Sequence, residues 1–147
     1  MFVERMLPTA LRRLVTIGCD SPLIDAVLLL GGVRTDLVVV CSSDYLLTGV
    51  ITRLDVVRQI SHCQGSSCAI AVSSVMTRAV ILCHPSDRLH DIWLTMKDRG
   101  LKNIPVVDHD SRPIGVLNAR DALEVLLEDA EYEDQLLRDY VMCVGYQ

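Results

Sequence analysis

The chain predicts an α/β fold in which one small unit is used twice, and three observations carry that expectation. The heptapeptides GVITRLD (Gly49 to Asp55) and GVLNARD (Gly115 to Asp121) recur 66 positions apart. The segments around them follow one order, strand, helix, strand, strand, helix (β-α-β-β-α), in both copies. Each copy is only roughly 60 residues, too few to bury a comfortable apolar surface alone, so the pair is expected to fold as a unit about a pseudo-two-fold axis.

Element by element, the first copy reads as a strand at Leu14 to Ile17, a helix starting at Ser21 and Pro22 and running to Leu30, a strand at Leu37 to Cys41, a turn at Ser42 to Tyr45, and a strand at Leu46 to Ile51. Gly31 and Gly32 end its first helix, and the last helix, Thr52 to about His62, begins inside the heptapeptide. In the second copy Val80, Ile81 and Leu82 form a short β-branched run. Ser86 offers a helix N-cap, and Leu89, Ile92, Trp93 and Met96 then fall at i, i+3, i+4 and i+7 on one apolar face. Gly100 closes that helix. Ile104 to Asp108 and Ile114 to Leu117 read as strands about the turn His109 to Pro113, and a helix follows from Asn118 to about Ala130. Laying Val15 onward against Val80 onward requires one residue gained in the second copy.

Domain limits follow from this reading: the first unit at 7–62, a linker at 63–74 whose Cys63 to Ser67 stretch is short, polar and glycine-containing, the second unit at 75–130, and a tail at 131–147. In the tail Leu136, Leu137, Tyr140 and Val141 paint a stripe on one helical face. Such a helix packs on its own domain or contacts a second copy, and the spacing suits both.

Composition narrows the function classes. Fourteen basic against nineteen acidic residues give a net charge of -5, the wrong sign for a surface that neutralises nucleic-acid phosphates. No run approaches the ~18 apolar residues of a membrane span, and Met1 to Val15 carries Glu4 and three arginines instead of an export signal, so the expectation is a cytoplasmic protein. The six cysteines are then expected to be reduced, with Cys41 and Cys83 behaving as small buried hydrophobes.

The heptapeptides admit two explanations. As caps, Thr52 with Asp55 and Asn118 with Asp121 occupy the N-cap and N3 positions of a strand-to-helix junction, where they satisfy orphan amides and face the positive helix end. As a site, the same junction attracts a phosphate to its free amides, while a carboxylate one turn in accepts from the two hydroxyls of a ribose. The duplication, and the arginines Arg53 and Arg120 that capping does not need, favour the site.

Taken in order, VMTRAVI (Val75 to Ile81), the Ser86 helix, NIPVVD (Asn103 to Asp108) and GVLNARD resemble a CBS domain. LVTI (Leu14 to Ile17), LVVVCSSD (Leu37 to Asp44) and GVITRLD resemble a second. The chain from roughly Leu7 to Ala130 is therefore similar to a stand-alone CBS pair, or Bateman module. That resemblance implies a regulatory, non-catalytic module that binds adenosine-containing ligands in clefts between the repeats, pairs as a homodimer into a flat disc, and signals to a partner protein. Matched residue by residue, Thr52 and Asp55 stand for the family's hydroxyl and ribose-binding acid. Asn118 departs from the usual Thr or Ser beside Asp121. Thr77, Arg78, Ala79 and Val80 match a segment that lines the adenine pocket, and Lys102 falls where family members place a phosphate-contacting base, where repeat one has Asp36.

The two prospective sites are unequal on this reading. The Asp55 site has Arg53 and Arg78 as phosphate partners, and the Asp121 site has Lys102 and Arg120. These cations favour AMP, ADP, ATP or NAD over the sulfonium of S-adenosylmethionine. The rival class is an unliganded interaction scaffold. A metal or thiol switch at His62, Cys63 and Cys68 lacks the C-x2-C spacing and a second pair, so no metal is expected. His84, His90 and His109 have no placed nucleophile, Trp93 and Met96 read as core, and the acidic run Glu124 to Asp134 as a solvated face.

Overall fold

The computed structural model describes residues 1–32, 35–62 and 69–145. A 3-10 turn at Val3–Met6 leads into α1 (Leu7–Arg13), followed by β1 (Thr16–Gly18), α2 (Leu23–Leu30), β2 (Leu37–Cys41), β3 (Leu47–Thr52) and α3 (Arg53–His62). A second 3-10 turn at Val72–Ser74 precedes α4 (Leu89–Arg99), β4 (Asn103–Val107), β5 (Pro113–Asn118) and α5 (Ala119–Gly145).

The duplication is visible in the backbone. The β2–β3 hairpin pairs Leu37 with Thr52 and slips between Val40 and Cys41; the β4–β5 hairpin pairs Asn103 with Asn118 and slips between Val106 and Val107. A bulge at the same place bends both ladders alike. Both hairpins turn through a left-handed non-glycine residue, Tyr45 (φ 62°) and Ser111 (φ 64°). The second turn is held by Asp108, whose Oδ1 accepts the N–H groups of Asp110 and Arg112 at 2.9 and 3.0 Å.

Three local expectations need correction. The run Val80 to Leu82 is not a strand: the second copy keeps only a parallel bridge between Cys83 and Val106, whereas β1 pairs over three residues with β2. Pro105 supplies the reason. Its counterpart Val39 donates its N–H to the Val15 carbonyl at 2.8 Å, and proline has no N–H to give. Ser86 does not cap α4, whose N-cap is Arg88; instead the Asp87 carboxylate accepts the His84 N–H at 2.8 Å in the turn before it. Nor does the second copy gain a residue, because Ile17 pairs with Val40 and Cys83 with Val106 at one constant offset. Gly100 does end α4, in the left-handed conformation (φ 64°).

Two elements lie outside the sequence reading. The entry segment before β1 folds into α1, and α5 is one unbroken helix through the expected boundary at Ala130. Each entry segment is stitched to the opposite copy. Val3 and Glu4 donate to the carbonyls of Asp87 and Pro85, as Val72 and Ser73 donate to those of Ser21 and Cys19. The cores cross over accordingly. Val3, Met6 and Ala10 pack with Leu89, Met96, Ile104 and Leu117 of the second copy, while Val72 and Met76 pack with Leu23, Val38 and Ile51 of the first.

Every residue of β2 is buried, because the strand is covered on both faces. Val38 and Val40 enter the first core; Leu37, Val39 and Cys41 form a seam with Val50 and Val116 between the copies. Trp93 is half-buried against the second core with the Lys97 ammonium 5.5 Å from its ring centroid. Among the described residues no helix is long and apolar enough to cross a membrane.

Candidate functional site

At the seam the chain leaves a cavity of about 620 Å³ to which both copies contribute. Its position follows from the hairpin-to-helix junction: β3 delivers Thr52 to the start of α3, so Asp55 lies one turn in. Thr52 and Asp55 form a reciprocal capping box. The Thr52 N–H donates to Asp55 Oδ2 at 2.9 Å, the Thr52 hydroxyl donates to the same oxygen at 3.2 Å, and the Asp55 N–H donates to Thr52 Oγ1 at 3.4 Å. From the other copy, the Thr77 hydroxyl donates to Asp55 Oδ1 at 2.9 Å. The carboxylate is thereby fixed from both sides, and Oδ1, which accepts only from Thr77 among the described residues, keeps a lone pair for a further donor.

The opposite wall is apolar. Val50, Ala79, Val80, Ile81 and Leu101 line it, a surface able to take the faces of a flat ring. Gly49 makes the approach of the copies possible: a Cβ there would lie 2.7 Å from the Thr77 carbonyl oxygen and 2.8 Å from the Met76 sulfur. That contact brings Thr77 and the following Ala79 over the junction.

The cations are distributed differently from the sequence expectation. Arg53 lines the cavity, but its donors are engaged: Nε to the Leu30 carbonyl (3.1 Å), Nη2 to the carbonyls of Gly32 (3.0 Å) and Thr35 (3.4 Å), and Nη1 to Asp36 (3.0 Å). It closes the C-terminal end of α2, where a positive charge complements the helix dipole. Lys102, expected beside Asp121, lines the Asp55 cavity. It comes with Arg58, a residue the sequence reading missed, and neither has an ion-pair partner among the described residues. The position of Arg58 at i+3 from Asp55 on the same helix face is the signal by which the sequence could have shown it. Arg78 lies outside the lining and donates to the Ser73 carbonyl at 3.3 Å.

The Asp121 junction has another arrangement. Asn118 Oδ1 accepts the N–H groups of Arg120 (3.0 Å) and Asp121 (3.2 Å) as an N-cap, and Asn118 Nδ2 donates to Asn103 Oδ1 at 3.0 Å. Asp121 does not complete a capping box; Arg13, from the end of α1, donates from Nε to Oδ2 and from Nη2 to Oδ1. Arg120 points to solvent, 86% exposed, 3.9 Å from Glu124. The structure therefore brings Thr52, Arg53, Asp55, Thr77, Ala79, Val80 and Lys102 to one cavity and leaves Arg78 and Arg120 outside its lining.

Cys63 and Cys68 lie outside the described residues. Among the described residues no group of three or more His, Cys, Asp or Glu stands close enough to hold a metal.

Comparison with known proteins places this geometry. Residues 72–128 match the CBS domain family model. Over 123 residues the chain is 28% identical to the choline transport ATP-binding protein OpuBA of Bacillus subtilis, covering 84% of this chain and 31% of that protein. The chain spans between 16% and 33% of the length of the curated relatives it matches. Among solved structures it is similar to CBSX2 in complex with AMP, with a TM-score of 0.74 and 22% identity, covering 88% of this chain and 98% of that one. It is also similar to the CBS domain pair of protein MJ0100 in complex with 5′-methylthioadenosine and S-adenosyl-L-methionine, with a TM-score of 0.72 and 18% identity over 88% of this chain and 98% of that one.

Proposed function

Since residues 72–128 match the CBS domain family and 88% of the chain has the fold of a CBS domain pair, we propose that it is a regulatory module that takes an adenosine-containing ligand at Asp55 and passes the bound state to a partner. The observation that carries this reading is the carboxylate of Asp55, fixed by Thr52 from one copy and Thr77 from the other at the floor of a cavity they share. Ribose hydroxyls donate to Asp55, the base lies against Val50, Ala79 and Val80, and a phosphate extends toward Arg58 and Lys102. AMP, ADP, ATP and NAD meet these requirements better than a sulfonium ligand, because both unpaired lining cations attract anions. The AMP-bound and S-adenosylmethionine-bound proteins of the same fold support the adenosine class.

Signalling follows from the two-copy construction. A ligand that touches both copies biases their relative arrangement only by its differential affinity for the alternatives. Nothing in this scheme requires turnover. A second reading, an interaction scaffold, is favoured by the exposed stripe on α5, where Leu136, Leu137, Tyr140 and Val141 stand free of the body.

Calorimetric titration against AMP, ADP, ATP, NAD and S-adenosylmethionine tests the first reading. Binding of a phosphorylated ligand is expected, weakened about tenfold or more by Asp55→Ala and less by Asp121→Ala, since a hydrogen bond to a charged group contributes about 1.5–3 kcal/mol. No heat with any of the five at millimolar concentration would leave the scaffold reading in place.

A further inference from the structure

The offset that relates the two hairpins, kept where Ala10 meets Gly115 and Met76 meets Gly49, sets a second group of positions in correspondence around the two acids. Ala79, on the wall of the Asp55 cavity, maps onto Arg13; Arg58 maps onto Glu124 and Lys102 onto Asp36. The two surroundings differ in charge. Around Asp55 a small side chain leaves the cleft open, and Arg58 and Lys102, without an ion-pair partner among the described residues, line it beside the Arg53–Asp36 pair. Around Asp121 a long side chain enters from the other copy, and Glu124 stands where Arg58 was. Asp36 and Glu124 both act on the Arg13 guanidinium, although the hydrogen bond it donates to Asp121 is what chiefly holds its proton.

The chemistry of the Arg13 contact is that of a ligand. A guanidinium offers a carboxylate two parallel N–H donors, one to each oxygen; a ribose offers two O–H donors. The pair is largely withdrawn from water, with the Asp121 side chain 16% exposed and that of Arg13 35%. We infer that Arg13 is a built-in occupant of a second nucleoside cleft: it holds Asp121 in place of a ribose, limits the chain to one ligand, and closes a site whose acidic surroundings suit a nucleoside without phosphate. This rests on the reading of Asp55 as a ribose-binding acid. α1 delivers the arginine, with Ala10 packed so closely on β5 that a Cβ at Gly115 would lie 2.7 Å from the Ala10 Cβ.

Arg13→Ala installs at this position the side chain that Ala79 already presents in the open cleft. Calorimetric stoichiometries with adenosine and with AMP, on the full chain, test the proposal, with folding followed by thermal melting and Arg13→Gln as the second variant should the alanine form not fold. One more adenosine site than in the wild type is expected, absent again in Arg13→Ala/Asp121→Asn, and no additional AMP site. Equal adenosine stoichiometry in folded variant and wild type would overturn the proposal, as would an added site that survives Asp121→Asn or takes AMP equally well. A wild type that binds neither compound counts against the Asp55 reading alone, because the proposal is read from the gain on releasing Arg13.

Discussion

Single side chains show how one residue type takes different work from its surroundings. Asp55 and Asp121 occupy equivalent positions in equivalent heptapeptides, yet Asp55 is held by two hydroxyls and a backbone amide while Asp121 is held by a guanidinium. Arg53 and Arg58, five residues apart, divide similarly: the first is consumed in closing α2 and the second remains available at the cavity. Cys83 is fully buried, and burial, reinforced by Asp87, pushes its thiol up to about 12 from 9.0. Below pH 9 the thiol is protonated in both folded and unfolded chains and stability is unaffected. Above pH 9 the unfolded chain releases the proton and the fold keeps it, so stability falls as pH rises from 9 toward 12. Urea denaturation across that window is expected to show a steeper loss in the wild type than in Cys83→Ala; equal slopes would contradict the assignment.

At the scale of elements, the glycines that open the heptapeptides set how closely the entry segments approach the hairpins. A Cβ at Gly115 meets Ala10 carbon atoms at 2.7 and 3.0 Å, and a Cβ at Gly49 meets the Thr77 oxygen at 2.7 Å. Neither neighbour is the free end of a flexible chain, apart from the Met76 thioether beside Gly49. Gly115→Ala and Gly49→Ala are each expected to lower unfolding free energy by roughly 1–3 kcal/mol through overpacking, measured by chemical denaturation. Gly49→Ala should also weaken ligand binding, since Thr77 and Ala79 ride on the displaced segment. Most elements were legible from periodicity and punctuation: both hairpins, the helix stop at Gly100, and the helices starting in each heptapeptide. The lost strand at Val80 to Leu82 was not, because its β-branched run is a local signal and the missing donor is on Pro105, more than twenty residues away. α1 was missed because seven residues starting Leu-Pro-Thr carry too short a pattern to declare a helix; its stability comes from packing Ala10 on β5.

For the whole molecule, the crossing of entry segments makes each copy's core depend on the other's chain. Val3 and Met6 finish the second core as Val72 finishes the first, so the pair is expected to unfold together. α5 stands apart from this arrangement beyond Ala130, since residues 131–142 are all exposed. Ending the chain after Ala130 is therefore expected to change the unfolding free energy by no more than about 0.5 kcal/mol, the scale of surface changes. Sedimentation of the same shortened chain reads whether the apolar stripe joins two copies.

The sequence by itself determined that two copies of one unit are present, where each hairpin and following helix lies, and that an acid stands one turn into each of those helices, because periodicity, turn residues and a repeated motif are local properties of the chain. Only the tertiary structure decided which acid is open. That depends on what the other copy delivers across the seam: Ala79 and Thr77 to Asp55, Arg13 to Asp121. The choice is made by side chains 22 or more positions distant in sequence: Arg13 comes on a helix whose own pattern was too short to read, and Thr77 and Ala79 on the non-helical segment after the second 3-10 turn.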